Sequence, residues 1–143
     1  MILVIAAVVV IGYKIIVEGI GGPTATNAAV QRISQAIAYA EGFYIAGSRA
    51  SRNHNPGDMT ADLIGRKVGM DGSFVVYSND EDGWANLYKQ VGEWLDGSSA
   101  HADSSSTIAD ISGFYTTTDQ TAWATNVANQ LGVGIDTPIG EVS

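Results

Sequence analysis

The sequence predicts an α+β domain that is mainly helical, carries one small β-hairpin and is preceded by an apolar N-terminal helix. Three observations lead to this prediction. Apolar residues recur at helical spacing in four segments after residue 27. A β-branched and aromatic run, 74–77, follows an Asp71-Gly72 pair that suits a hairpin turn. The first 17 residues are almost all apolar, and the 143-residue chain is long enough for one domain with its own core.

The charge distribution narrows the classes of function. The chain has a formal net charge of -8 and no cysteine. The negative charge argues against a nucleic-acid partner, and the lack of thiols excludes disulfides, zinc-thiolate sites and cysteine catalysis. Five of the seven basic residues lie between positions 32 and 67. They are either surface ion-pair partners or the border of a cleft that tolerates an anionic polymer.

Residues 1–17, MILVIAAVVVIGYKIIV, are predicted to form a membrane anchor. A spanning helix needs roughly 20 apolar residues, and somewhat fewer suffice if Lys14 reaches the headgroups. A cleaved signal peptide is disfavoured because no basic segment precedes the apolar run. A helix packed against other protein, as in a filament or virion shell, remains an alternative. Residues 18–27 are predicted to be a Gly/Pro linker, and residues 28–143 the domain.

The first helix of the domain is predicted over 28–40 and ends in an unusual residue. Thr26 or Asn27 suits its N-cap, and Gly42 is a fitting stop. Glu41 follows Ile37 by four positions, so it continues the apolar face of the helix rather than the solvent-facing side. Burial and the negative end of the helix dipole both raise the pKa of such a carboxyl group, whereas a nearby arginine lowers it. If burial prevails, the position suits a general acid that is still protonated near neutral pH. The alternative is an ordinary carboxylate at the solvent edge of the helix.

The segment after Glu41 is predicted to be a polar loop followed by the hairpin. Pro56 and Gly57 suit the central positions of a type II turn. Asp71-Gly72 is predicted to be the hairpin turn. Phe74 and Tyr77 are candidates for a ligand-binding groove, with core packing as the alternative for either.

Three further helices are predicted after the hairpin. Ser78 and Glu81 form a Ser-x-x-Glu capping box for the first of these. The second is short, and the third begins after Thr118 or Asp119. The inward positions of the three are Trp84, Leu87, Tyr88, Val91 and Leu95, then Ile108, Ile111 and Tyr115, then Trp123, Val127 and Leu131. Trp84 and Trp123 are predicted to be packing residues.

No metal site or cofactor is expected. His54 and His101 both fall in polar loops and lack the His-Glu-x-x-His spacing of a zinc site. No Ser-His-Asp arrangement and no phosphate-binding glycine loop with its lysine are found in the sequence.

An ordered series of short motifs resembles a known superfamily. The series runs AxAEGF, GSxxxRNxNPGD, DGSFVVYSxxxDGW, Tyr115-Thr116 and WAxNVAxxLGVxxDTP. Over about residues 28–138 it is similar to small lysozyme-like, peptidoglycan-cleaving domains of phages and bacteria, within the lysozyme and lytic-transglycosylase superfamily. The loop of that family usually reads Asn-Asn-Pro-Gly-Asn, whereas residues 54–58 here read His-Asn-Pro-Gly-Asp.

The resemblance implies a lysozyme-like fold and assigns roles to several residues. Glu41 matches the essential acid, which protonates the glycosidic oxygen of the β-1,4 bond between N-acetylmuramic acid and N-acetylglucosamine. Tyr115 matches a tyrosine that related enzymes place near the acid. Asn55 is a candidate for binding an acetamido group, with turn stabilisation as the alternative. Asp58 is the candidate second acid that a hydrolase would use, or else it closes the turn.

Two functions follow as expectations. The first is a membrane-anchored, virion-associated lytic transglycosylase or muramidase in a virion membrane or bacterial cell envelope. Its partners would be peptidoglycan strands, lipid through residues 1–17, and other virion or envelope proteins, but no nucleic acid. The second is a non-enzymatic structural virion or filament subunit with a lysozyme-like binding domain. Retention of Glu41 favours the enzyme.

Overall fold

The computed structural model describes residues 23–143, so the predicted anchor at 1–17 and residues 18–22 of the predicted linker lie outside the described residues. The described chain is α+β and rich in helix, with one two-stranded antiparallel hairpin, which confirms the predicted fold class at this level. Within residues 23–143, no helix combines the length and apolar character needed to cross a bilayer.

Helix α1 spans Pro23–Ala40 and starts five residues before the predicted start. The helix thus includes residues 23–27, which were predicted to belong to the linker. Proline fits the first turn of a helix, where its missing N–H leaves no bond unmade. At the other end the prediction holds. Gly42 has a φ of +76°, and the bonds Phe43 N–H to Ala38 O and Gly42 N–H to Tyr39 O close a Schellman motif around Glu41.

The loop after Glu41 contains a short helix, α2 (Arg49–Arg52), that was not predicted from the sequence. The Ser48 side chain caps it by accepting from Ser51 N–H. The predicted type II turn is wrong, because Gly57 has no positive φ. His54 and Asp58 on either side have positive φ values of 52° and 47° instead.

Position 57 requires glycine because no side chain fits there. A Cβ there would lie 2.7 Å from the Tyr115 hydroxyl oxygen and 2.9 Å from Leu87 Cδ1. The loop therefore approaches the helices behind it more closely than any larger residue allows.

The hairpin pairs β1 (Gly69–Asp71) with β2 (Phe74–Val76). Asp71 faces Phe74 in the ladder, so the two-residue loop is Gly72-Ser73, one position later than predicted. Gly72 alone of these two has a positive φ, as at the first position of a type II′ turn. Val75 N–H bonds Met59 O, which ties the hairpin to the loop that follows α2.

Three helices complete the domain: α3 (Asp80–Asp96), α4 (Ile108–Tyr115) and α5 (Gln120–Leu131). The predicted Ser78 cap is wrong by one residue, because Asn79 caps α3 by accepting from Asp82 N–H. Either residue type can make this bond, so the sequence alone did not fix the position. Thr107 and Asp110 form a capping box on α4, and the predicted Asp119 cap of α5 is confirmed.

One apolar core lies where α1 packs against α3 and α5, with α4 packed on α5. It includes the predicted inward residues Leu87, Val91, Ile108, Ile111, Trp123, Val127 and Leu131. Trp94, which was not predicted, is also fully buried there. This core fixes the C-terminal end of α1 against α5, and Glu41 stands at that end.

Candidate functional site

A cleft of about 570 Å³ opens beside the end of α1. Its lining comes from parts of the chain that are distant in sequence: Glu41, Arg49, residues 58–61, Ser73 and Phe74, Gln90, His101, and residues 114–118. Of the six predicted site residues, four line this cleft: Glu41, Asp58, Phe74 and Tyr115.

Glu41 is placed by the Schellman turn and held by a hydrogen bond from helix α5. Its backbone N–H still bonds Ile37 O at 2.9 Å, so the residue continues the last turn of α1. The indole Nε1–H of Trp123 donates to Glu41 Oε2 at 2.7 Å. The carboxyl group is therefore fixed in direction at the cleft wall.

Burial raises the pKa of Glu41 from 4.5 to about 7. The Trp123 hydrogen bond opposes this by favouring the ionised form; the charge of Asp58 raises the pKa further and that of Arg49 lowers it. Desolvation outweighs the opposing effects, so the Glu41 carboxyl group can hold a proton much closer to neutral pH than an exposed glutamate can.

Tyr115 links three parts of the site. Its ring stacks at a tilt on Trp123 with 5.1 Å between centroids, and its hydroxyl donates to Gly57 O at 2.7 Å. Burial, together with the charges of Glu41 and Asp58, holds the pKa of Tyr115 well above its usual value. The hydroxyl is thus a neutral donor that fastens the loop to α4.

Asp58 is engaged by the guanidinium group of Arg49. Arg49 Nη2 lies 2.5 Å from Asp58 Oδ2, and Nε lies 3.1 Å from both carboxylate oxygens. The Asp58 side chain is only 6% exposed. Arg49 in turn lies over the Phe74 ring, with Cζ 3.5 Å from the ring centroid. Both oxygens of the candidate second acid therefore accept hydrogen bonds from Arg49.

Asn55 and Tyr77 do not line the cleft, and each takes the alternative role predicted for it, turn stabilisation for Asn55 and core packing for Tyr77. Asn55 has no exposed surface, and its amide bonds Met59 N–H, Met59 O and Val75 O. Tyr77 is 1% exposed and donates from its hydroxyl to Asp62 at 2.8 Å. Both side chains brace the loop and hairpin instead.

Two functional neighbours were missed from the sequence. Trp123 was predicted to be a packing residue, and its hydrogen bond to Glu41 crosses 82 positions of the chain. Arg49 was recognised only as part of a locally basic stretch. Its position beside Asp58 depends on α2, which carries no clear apolar periodicity.

The two histidines lie apart. His54 pairs through Nδ1 with Asp80 at 2.7 Å, and His101 lines the cleft against Phe114 with 5.7 Å between ring centroids. Within residues 23–143, no group of three His, Cys, Asp or Glu side chains is placed to hold a metal ion.

Comparison with known proteins adds no relative: no family model, curated protein or solved structure matches this chain.

Proposed function

We propose that this protein cleaves the β-1,4 glycosidic bond of peptidoglycan, with Glu41 as the general acid. The observation that carries the proposal is a partly buried carboxyl group that accepts a hydrogen bond from the Trp123 indole and faces a cleft of about 570 Å³, where desolvation raises its pKa to about 7. A glycosidase must deliver a proton to a poor leaving group, and only a carboxyl group with a raised pKa does so at neutral pH.

A lysozyme-like fold is part of the same proposal. It is supported by the ordered sequence motifs, by an acid at the C-terminal end of the first helix of the domain, and by the hairpin that follows it. The Tyr115 side chain also lies close enough to Glu41 for the negative charge of Glu41 to raise the pKa of the phenol.

The hydrogen bond from Trp123 suits a group that gives up a proton and then recovers it. Nε1–H donates to a carboxyl oxygen, so it stabilises the carboxylate formed when the proton passes to the glycosidic oxygen. The resulting carboxylate is then placed to remove a proton from an incoming hydroxyl.

We propose that the incoming hydroxyl belongs to the sugar, as in a lytic transglycosylase. A hydrolase uses a second carboxylate to activate water or to attack the sugar. The only other carboxylate among the described cleft residues is Asp58, whose two oxygens already accept from Arg49. Closure by the 6-hydroxyl of muramic acid needs Glu41 alone and yields a 1,6-anhydro end.

Membrane attachment through residues 1–17 belongs to the proposal as well and is supported by their apolar composition. The enzyme would then act on wall next to the bilayer that holds it, in a virion or a bacterial envelope.

The test is digestion of purified peptidoglycan by the full chain in mild detergent, with products weighed by mass spectrometry. Glu41→Gln is compared with Glu81→Gln, which makes the same change at an exposed position outside the cleft. We expect wild type and Glu81→Gln to release fragments lighter than hydrolytic products by one water. Glu41→Gln should lose at least about 100-fold in rate.

Other outcomes would point to a hydrolase or contradict the proposed function. Fragments with the full mass of hydrolytic products, absent with Glu41→Gln, would identify a hydrolase. Asp58 would then be the candidate for its second carboxylate. Equal activity of Glu41→Gln and wild type, or no cleavage by folded wild type, would contradict the proposed function.

A further inference from the structure

Arg49 is the only lysine or arginine among the described residues that line the cleft. Its guanidinium plane is fixed by two neighbours, the Phe74 ring beneath it and the Asp58 carboxylate at one edge. A side chain held on two sides loses little further entropy when a ligand binds to it.

The hydrogen bonds of Arg49 leave one edge free. The five N–H donors of a guanidinium are spread over Nε, Nη1 and Nη2. Nε and Nη2 serve Asp58, whereas Nη1 donates to no residue in the described part of the chain. The side chain is 46% exposed where it borders the cleft. An oriented pair of charged donors therefore remains available to a ligand.

We propose that Arg49 is a specificity-determining residue, whose free Nη1 edge binds a carboxylate carried by the glycan strand. This inference rests on the proposed function and names the chemistry that its cleft selects. A carboxylate offers Arg49 a full opposite charge and two acceptor oxygens, whereas a matched amide offers one neutral acceptor oxygen and no charge, so the guanidinium group binds the carboxylate more strongly.

Two parts of peptidoglycan carry such a group: the lactyl carboxylate of muramic acid, which is free once the peptide has been removed, and the carboxylates of the stem peptide. Both present the same chemistry to Nη1, so the experiment separates them.

Arg52 provides a matched control on the same short helix. It donates to Gly47 O at 2.8 Å, lies 3.5 Å from Asp71, and does not line the cleft. Arg52→Gln removes the same charge from the same element. Arg49→Gln leaves Asp58 buried without its partner, so the double variant Arg49→Gln with Asp58→Asn removes both charges together.

The experiment measures kcat and KM on two kinds of strand, peptide-free and peptide-bearing, each with its carboxylates either intact or converted to amides. All reactions are run at one pH and one ionic strength. The ratio of kcat/KM between intact and amidated strands cancels any change in the acidity of Glu41.

For at least one of the two kinds of strand, we expect kcat/KM of wild type and of Arg52→Gln to be about tenfold higher on the intact form than on the amidated form. Most of this difference should lie in KM. The single and double Arg49 variants should bring this ratio close to one. Preference confined to peptide-free strands assigns the lactyl carboxylate, and preference confined to peptide-bearing strands assigns the stem peptide.

An unchanged preference in both Arg49 variants overturns the inference, as does wild-type cleavage that ignores amidation; either leaves the proposed function standing. No cleavage of any strand by wild type overturns both.

Discussion

The two largest effects on the pKa of Glu41 act in opposite directions. Burial at the end of α1 raises its pKa, whereas the indole N–H of Trp123 lowers it. A more deeply buried acid without a donor would hold its proton too tightly, and an exposed one would lose it. The value of about 7 is the balance of these effects.

The raised pKa makes stability depend on pH. The folded value of about 7 exceeds the ordinary 4.5, so the folded state binds more protons between these limits. Glu41 therefore costs the fold nothing below pH 4.5, and its cost grows as pH rises through 7 to at most about 3 kcal/mol.

Glu41→Gln should remove that cost. In urea denaturation, we expect the variant to gain about 1–3 kcal/mol relative to wild type on going from pH 4 to pH 8. Comparing the two pH values cancels any fixed effect of the amide. Glu81→Gln should show no such gain, and an equal pH dependence for wild type and Glu41→Gln would contradict a raised pKa.

The Trp123 donor predicts the effect of Trp123→Phe. Phenylalanine keeps an aromatic ring in the core but removes the N–H that stabilises the Glu41 carboxylate. The pKa of Glu41 should therefore rise, and the alkaline fall in glycan cleavage should move to higher pH. The pH–rate profile measures this, and a fall at unchanged or lower pH would show that the bond does not tune the acid.

At the scale of elements, the cleft depends on how closely the 54–59 loop approaches α4. Tyr115 on α4 donates to Gly57 O, and the absence of a side chain at Gly57 permits that contact. This close approach holds Asp58, and with it Arg49, beside Glu41.

Gly57→Ala should therefore cost about 1–3 kcal/mol of stability, because the added methyl meets Tyr115 and Leu87 below 3.0 Å. Gly92→Ala in α3 is the matched control. A Cβ there meets nothing within 4 Å and replaces the poorest ordinary helix former, so we expect no loss or a gain of up to about 1 kcal/mol. Chemical denaturation compares the two, and equal effects would show that space at Gly57 is not limiting.

The helices and strands could largely be predicted from the sequence, whereas the turns and the side-chain contacts between them could not. Apolar spacing located α4 and α5. Glu41 was singled out because it continues the apolar face of α1. The type II turn at Pro56-Gly57 was predicted wrongly because glycine serves close packing as well as positive φ. The hairpin turn was misplaced by one residue because a glycine with positive φ fits the second position of a type I′ turn as well as the first position of a type II′ turn. Trp123 could not be paired with Glu41, because an indole at core spacing looks the same whether or not its N–H has a partner.

At the scale of the whole molecule, an acidic protein is proposed to act on an anionic wall. The net charge of -8 opposes approach to such a polymer, whereas Arg49 in the cleft favours contact once the strand is seated. Long-range repulsion is screened by salt more than short-range contact is.

Raising salt from about 10 mM to about 150 mM should therefore increase the cleavage rate of intact peptidoglycan at low substrate concentration, as the Debye length falls from about 30 Å to about 8 Å. Strands with amidated carboxyl groups supply the control and should respond less. A rate on intact peptidoglycan that falls with salt would indicate that attraction, rather than repulsion, governs the encounter.

The proposed mechanism depends on the acidity of Glu41, which a single titration measures. The carboxyl ¹³C shift of Glu41 is followed by NMR from pH 3 to pH 9 in the full chain, with Glu41→Gln assigning the signal. We expect a midpoint of about 7. A midpoint near 4.5 would mean that Glu41 is ionised at neutral pH and cannot serve as the proton donor.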